Sequence, residues 1–153
     1  MTIRFEAIPT EEVEAFRTGM PDAYGNAPER TTSPGGMPCR HCLGEIPAGA
    51  AMLLLAYRPF PALQPYAETG PIFLHAEECS RYAPSDVLPP MLSSPDYIVR
   101  GYDARDRIVY GTGAVTPVGE IVHYAGELLA RPGIAYVHIR SARNNCFQCK
   151  MET

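Results

Sequence analysis

Two stretches of the chain carry apolar residues at helical spacing, one near each end. In the first, Val13 and Phe16 follow Thr10, which can cap a helix, and two acidic residues that suit its first turn. The second begins at Thr116 and stops at Pro132. Its apolar face consists of Ile121, Val122, Ala125, Leu128 and Leu129. This spacing predicts two short helices.

The remaining apolar residues fall in short runs with the spacing of strands. Ala50 to Tyr57 and Ile72 to Leu74 are continuous apolar runs, typical of strands buried on both faces. Other segments alternate apolar and polar residues, which indicates strands with one exposed face. These segments are 3–8, 97–102, 107–110 and 134–140. We expect 97–102 and 107–110 to form a hairpin closed by residues 103–106.

Long segments rich in proline and glycine separate these elements, most clearly at 19–38, 58–71 and 84–95. Residues 77–82 predict one or two helical turns at most. Strands that follow one another without intervening helices, with one helix near each end, predict an α+β fold with a mainly antiparallel sheet. At 153 residues, we expect positions 1–153 to form a single domain.

Composition narrows the classes of function. A net charge of −4 and a pI near 5.5 argue against a nucleic-acid partner. The longest apolar stretch is too short to cross a membrane, and the first residues lack the pattern of a secretory signal. Five cysteines fit poorly with a full set of disulfides. We therefore expect a cytoplasmic protein with reduced thiols, whose partner is a small molecule or a protein.

Four potential metal ligands lie in the segment 37–82. Cys39 and Cys42 are separated by two residues, so that one tight turn can present both sulfurs. His75 and Cys79 follow after the two buried strands, which can bring this second pair back to the first as a hairpin. Three thiolates and one imidazole are the tetrahedral donors that zinc prefers. The segment therefore predicts a zinc site.

Two other interpretations of the cysteines stay open at this stage. Cys146 and Cys149 near the end of the chain can replace His75 and Cys79 as partners of the first pair, or form a redox-active bridge. Alternatively, the cysteines of the segment 37–82 are small buried apolar residues and its histidine belongs to the core.

The segment resembles the knuckle-plus-helix zinc fingers, including the poly(ADP-ribose) polymerase type. In those, a cysteine pair is followed by an Ile-Pro turn, a hairpin, and a histidine and cysteine at a helix start. Ile46-Pro47 stands at the matching place here, and the His75 to Cys79 spacing is one residue wider. The resemblance implies a structural zinc in a binding or adaptor module.

A catalytic alternative rests on Glu77, which follows His75 by two residues. Together with Cys39 and Cys42, these residues resemble the signature of zinc-dependent nucleobase deaminases, in reversed order. That resemblance implies a hydrolase or deaminase with three zinc ligands and Glu77 as the general acid and base. The plain interpretation of Glu77 is an acid in the first turn of a helix.

Polar and aromatic side chains alternate along two of the predicted strands. If the strands pair, they form a basic and aromatic patch suited to a carboxylate or phosphate ligand. The residues of this patch are Arg100, Tyr102, Tyr136, His138 and Arg140. The plain interpretation is a solvated sheet face.

Several short stretches also share the pattern of a known family. They are Pro34-Gly35, Pro38-Cys39-Arg40, Gly70-Pro71-Ile72-Phe73, Arg100-Gly101-Tyr102 and Cys146-Phe147. In these the chain resembles the bacterial family known as domain of unknown function 1203. Membership implies no known activity, and the metal ligands imply a metal-binding branch of the family.

Overall fold

The computed structural model describes residues 2–153, which form ten strands and two α-helices. In chain order these are β1 (Arg4–Glu6), α1 (Thr10–Arg17), β2 (Glu29–Thr32), β3 (Met37–Pro38), β4 (Glu45–Ile46), β5 (Ala51–Tyr57), β6 (Gly70–His75), β7 (Asp96–Tyr102), β8 (Ala114–Pro117), α2 (Ile121–Leu129), β9 (Tyr136–Ser141) and β10 (Phe147–Glu152). A 3₁₀ turn at Val118–Glu120 leads into α2. Within residues 2–153, no helix combines the length and apolar character that a membrane crossing requires.

The larger sheet has five antiparallel strands in the order β1-β10-β9-β7-β8. Helix α2 packs on it through Ile121, Ala125 and Leu128, which are spaced so that they lie on one side of the helix. These side chains join Val137 and Ile139 of β9 in a continuous apolar core. This core supports the strands that carry the predicted ligand patch.

The smaller sheet has three antiparallel strands in the order β2-β5-β6. Its core contains Val13 and Phe16 of α1 together with Ile72 and Leu74 of β6. The two-stranded hairpin of β3 and β4 adds Ile46 to the same core. The four predicted metal ligands therefore lie where the hairpin, the smaller sheet and α1 meet.

The predicted α+β fold with antiparallel sheets is confirmed. The long loop predicted at 19–38 contains two short strands, β2 and β3. Strand β2 is exposed along its whole length, so it carries no apolar alternation that could reveal it. Its four residues instead pair with Ala51 to Leu54 of β5.

The predicted hairpin of 97–102 with 107–110 is present only next to its turn, where Asp103 N–H donates to the carbonyl of Arg107 at 2.9 Å and Val109 N–H to that of Gly101 at 3.0 Å. The pairing predicted along the rest of the two segments is wrong. Residues near Ile108 make a single bridge to Tyr102, and β7 pairs along its length with β8 and β9. Asp103 Oδ1 accepts hydrogen bonds from the backbone N–H groups of Arg105 and Arg107, which holds the intervening chain as a loop. The strand that completes this edge is β8, which begins after a glycine-rich turn.

One helix begins later than predicted, and one short predicted helix is absent. Thr116, predicted as a cap, lies in β8, and α2 begins at Ile121. The helical turns predicted at 77–82 are absent, because this segment bonds to other parts of the chain. The N–H of Tyr82 donates to the carbonyl of His41 at 2.9 Å, and Arg81 donates to the carbonyl of Ala7.

Candidate metal centre

Cys39 and Cys42 lie in the turn of the β3–β4 hairpin, residues 37–46, which we call the knuckle. Two backbone hydrogen bonds of 2.9 Å close this turn, from Cys39 N–H to the carbonyl of Gly44 and from Leu43 N–H to the carbonyl of Cys39. Leu43 has a φ of 55°, a left-handed conformation that is uncommon for leucine, and its side chain is buried. Core packing of Leu43 therefore holds the turn that presents both sulfurs.

The second ligand pair comes from the end of β6 and the irregular segment behind it. His75 is the last residue of β6, and Cys79 lies four residues further on. The backbone N–H of Arg40 donates to the carbonyl of Phe73 at 3.2 Å, which ties the knuckle to β6. This contact brings the ends of the knuckle and of β6 to the same place.

The side chains of Cys39, Cys42, His75 and Cys79 converge, with their donor atoms all within 4.8 Å of one another. The sulfurs of Cys39 and Cys79 lie 4.0 Å apart, and the sulfur of Cys42 lies 3.6 Å from Nδ1 of His75. Zinc–sulfur bonds of about 2.3 Å in a tetrahedron give sulfur–sulfur edges of about 3.8 Å. Cys39 is buried and the other three residues are half-buried. This cluster can hold a metal ion.

Polar groups around the cluster point at Cys79. Nη2 of Arg17, from α1, donates to the Cys79 sulfur at 3.3 Å, and its Nε donates to the carbonyl of His75 at 3.1 Å. Nδ1 of His41 lies 3.1 Å from the same sulfur, and its Nε2 lies 3.0 Å from the hydroxyl of Thr10. A His41 protonated at Nδ1 satisfies both contacts, donating to sulfur and accepting from Thr10. Such outer donors orient metal ligands and favour the thiolate form.

The pKa values of the three thiols in the cluster shift in different directions. Hydrogen bonds from Cys42 and then Cys79 hold the pKa of Cys39 below its ordinary value. The hydrogen bond with Cys39 raises the pKa of Cys42 and that of Cys79. At Cys79 a bond with Cys42 adds to this effect, and together they outweigh the lowering of the pKa by Arg17. Burial lowers the pKa of Arg40 to about 10, which is still above neutral pH, so this guanidinium is charged beside Cys39.

Glu77 does not belong to the cluster. Its carboxylate accepts a hydrogen bond from Nη2 of Arg30 at 2.7 Å, and both side chains are exposed. Glu77, to which the deaminase resemblance assigns proton transfer, therefore forms an ion pair at the surface of the smaller sheet.

Cys146 and Cys149 are also outside the cluster. Cys149 lies in β10 with its side chain in the core of the larger sheet, where burial raises the pKa of its thiol to about 12. Cys146 is half-buried in the turn before β10, and both thiols are free. The structure therefore assigns these two cysteines to separate environments.

The residues of the predicted ligand patch are brought together, because β7 and β9 are neighbours that pair Arg100 with His138 and Tyr102 with Tyr136. The interpretation of this patch as an outward, half-exposed face is wrong. Tyr102, Tyr136, His138 and Arg140 are buried, and Arg100 is half-buried. The loop between β5 and β6 covers them, with the ring of Phe60 lying 5.3 Å from that of Tyr102 and 5.1 Å from that of His138.

Three residues that the structure brings near the metal cluster were not placed there from the sequence. His41 lies inside the Cys-x2-Cys pair, and its position there is the one signal that could have identified it. Arg17 is 62 residues away from Cys79 along the chain, so no local pattern connects them. Thr10 was interpreted as a helix cap and instead contacts His41.

Comparison with known proteins identifies a family. Neither a curated protein nor a solved structure matches the chain. The model of one family, described as protein of unknown function (DUF1203), matches residues 36–153, a span that includes the knuckle, β6 and both strands of the ligand patch. Since this match covers most of the sequence, the chain belongs to the DUF1203 family.

Proposed function

We propose that the protein binds one zinc ion through Cys39, Cys42, His75 and Cys79, and that the ion has a structural role. The observation that carries this proposal is the convergence of the four donor atoms within 4.8 Å. The protein would then act as a zinc-stabilised binding or adaptor module in a reducing cytoplasm.

The donor set favours zinc over other common ions. Three sulfurs and one imidazole nitrogen are soft or borderline donors, whereas calcium and magnesium take oxygen ligands. The two donor separations of 4.0 and 3.6 Å suit the edges of a tetrahedron around zinc. Zinc with three thiolates carries a net charge of −1, which the guanidinium groups of Arg17 and Arg40 would offset.

A structural role is favoured over catalysis. Four protein donors complete a tetrahedron, while hydrolytic zinc sites keep one position for water. Glu77, the residue that would move protons, pairs with Arg30 instead. A zinc ion in this place would join the knuckle, the end of β6 and the segment 76–82, which lacks regular secondary structure of its own.

The test is metal analysis of protein purified under reducing conditions, together with three serine variants. We expect about one zinc per chain in the unmodified protein. Cys39→Ser and Cys79→Ser should each lose most of it, whereas Cys146→Ser, the matched control, should keep it. Zinc retained by both ligand variants, or absent from the unmodified protein, would contradict the assignment.

A further inference from the structure

Glu68, in the loop between β5 and β6, reaches into the predicted ligand patch. Its carboxylate accepts a hydrogen bond from Nη2 of Arg100 at 2.5 Å and lies 3.7 Å from Nη1 of Arg140. The side-chain amide of Asn145 donates to the same carboxylate. The carboxylate of Glu68 therefore occupies the place where the basic and aromatic patch was expected to bind the carboxylate or phosphate of a ligand.

One carboxylate does not balance two guanidinium groups in this place. The side chain of Arg140 is only 3% exposed, and its contact with Glu68 is the longer of the two. Nη1 of Arg140 also donates to the carbonyl of Asn145 at 3.1 Å, but its Nε is buried and has no hydrogen-bond partner within residues 2–153. A buried cation is costly unless it is paired, so Arg140 retains capacity for a further anionic partner.

A cavity of about 170 Å³ adjoins Arg140 and provides room for such a partner. Its wall includes Glu68, Arg140, Asn145, Cys146 and Phe147. Sites for drug-sized ligands have volumes of roughly 300 to 1,000 Å³, so this cavity suits a much smaller molecule.

The guanidinium of Arg140 is held in place by His138. Burial, followed by the positive charges of Arg140, Lys150 and Arg100, holds the pKa of His138 well below its usual value. The neutral ring accepts a hydrogen bond at Nδ1 from Nη2 of Arg140 at 3.2 Å. His138 in turn lies against the rings of Tyr102 and Phe147, at 4.6 and 4.9 Å, so the cationic wall of the cavity is rigid.

We propose that this cavity binds a small oxyanion, a carboxylate or a phosphate, which replaces the carboxylate of Glu68 on Arg140. Glu68 acts as an internal competitor that neutralises the arginines when no ligand is bound. The site is separate from the metal cluster and does not depend on the proposed zinc ion.

The proposal is tested by thermal unfolding and calorimetric titration with inorganic phosphate and with succinate, at constant ionic strength set by sodium chloride. Removing the competitor should expose the site, so Glu68→Gln should bind at least one of the two anions about tenfold more tightly than the unmodified protein. Glu77→Gln, which removes an exposed partner of Arg30, is the matched control and should bind as the unmodified protein does. Binding of phosphate alone or of succinate alone supports the site and identifies the class of ligand.

A double variant, Glu68→Gln with Arg140→Met, removes one negative and one positive charge, so that the fully buried guanidinium is not left without its carboxylate. Arg100, which is partly exposed, keeps the side-chain oxygen of the glutamine as a hydrogen-bond acceptor. It should fold, as an unchanged circular dichroism spectrum and a cooperative thermal transition would show, and should lose the anion binding gained by Glu68→Gln. Two results would overturn the proposal: no gain of binding in Glu68→Gln, or equal binding in the double variant.

Discussion

The sulfur of Cys42 lies 3.6 Å from Nδ1 of His75, although 33 residues separate them in the chain. The contact results from the antiparallel pairing of β5 with β6, which returns the chain to the knuckle. Paired strands therefore bring the two halves of the metal cluster together, although His75 is the one ligand that itself lies in a strand. This pairing makes individual substitutions informative.

Replacing His75 with cysteine should preserve metal binding. A thiolate is also a ligand of tetrahedral zinc, so His75→Cys would convert the site from three sulfurs and one nitrogen to four sulfurs. His75→Ala should lose the ion, because it removes a donor without replacement. Cobalt substitution provides the measurement, since the absorption of cobalt bound to sulfur differs between the two donor sets. An identical cobalt spectrum in His75→Cys and the unmodified protein would exclude His75 as a ligand.

Arg17→Ala should weaken metal binding without removing a ligand. The substitution deletes the donor to the Cys79 sulfur and the donor to the His75 carbonyl. Loss of such outer contacts typically costs about 10- to 100-fold in metal affinity. Competition with a chromogenic chelator measures the change. Arg30→Ala, which alters only an exposed ion pair, is the control and should leave the affinity unchanged.

Removal of the metal should lower stability but leave the sheets folded. Small zinc fingers unfold without zinc because the ion replaces a core. Here the knuckle is also tied by backbone hydrogen bonds, such as those of Ile8 N–H to the Arg40 carbonyl at 3.1 Å and Met91 N–H to the Leu43 carbonyl at 3.0 Å. After chelation we expect an unchanged far-ultraviolet circular dichroism spectrum and a lower melting temperature. A spectrum of an unfolded chain would contradict this expectation.

Asp22 should stabilise the protein in a pH-dependent way. Burial raises the pKa of its carboxyl, but hydrogen bonds from the backbone N–H groups of Ala56, Asn26 and Tyr24 outweigh this effect and lower the pKa. Because the folded-state pKa lies below the ordinary 3.8, this stabilisation is present above that pH and is lost as the pH falls through the folded-state value.

The variant Asp22→Asn places an amide donor near the N–H of Ala56, so it should lose about 1 kcal/mol of unfolding free energy at neutral pH. Urea unfolding at a series of pH values should show the difference from the unmodified protein shrinking toward acid pH. Asp86→Asn, at an exposed position, is the control. A difference that stays constant with pH would show that the carboxylate charge has no part in the effect.

The two cysteines near the end of the chain should differ in reactivity. Cys149 is buried and burial raises its thiol pKa to about 12, so it should resist iodoacetamide in the folded protein. Cys146 is half-buried and should be alkylated first. Peptide mass spectrometry measures both, and urea should make both reactive. Equal alkylation of Cys149 in the folded protein would contradict its burial, whereas protection of both thiols that a reductant reverses would favour the redox pair considered from the sequence.

Local pattern was sufficient for the turn of the knuckle and for five of the ten strands, which are β1, β5, β6, β7 and β9. The spacing of Cys39 and Cys42 predicts a turn, and the apolar run to Tyr57 predicts a buried strand, because both depend on neighbouring residues. What covers a strand depends on distant parts of the chain. Alternation in β9 suggested an exposed face for His138, whereas Phe60 from the loop after β5 covers it. Polar residues on a strand therefore predict the strand but not their own burial.

The helical turns expected at Cys79 fail for a related reason. Acidic residues before an apolar position favour a helix in isolation, yet Arg17 and His41 hold the Cys79 sulfur and the knuckle accepts the N–H of Tyr82. Contacts made at long range outweigh the weak local preference of so short a segment.

The left-handed turn at Leu43 has a consequence for the choice among ions. Packing of the Leu43 side chain, rather than the ion, fixes the spacing of the knuckle sulfurs. The coordination geometry of a bound ion must therefore fit this spacing. Ions that require square-planar or octahedral surroundings would have to deform the apolar core in order to enter. Selectivity for a tetrahedral metal would then originate in the same hydrophobic contacts that hold the fold together.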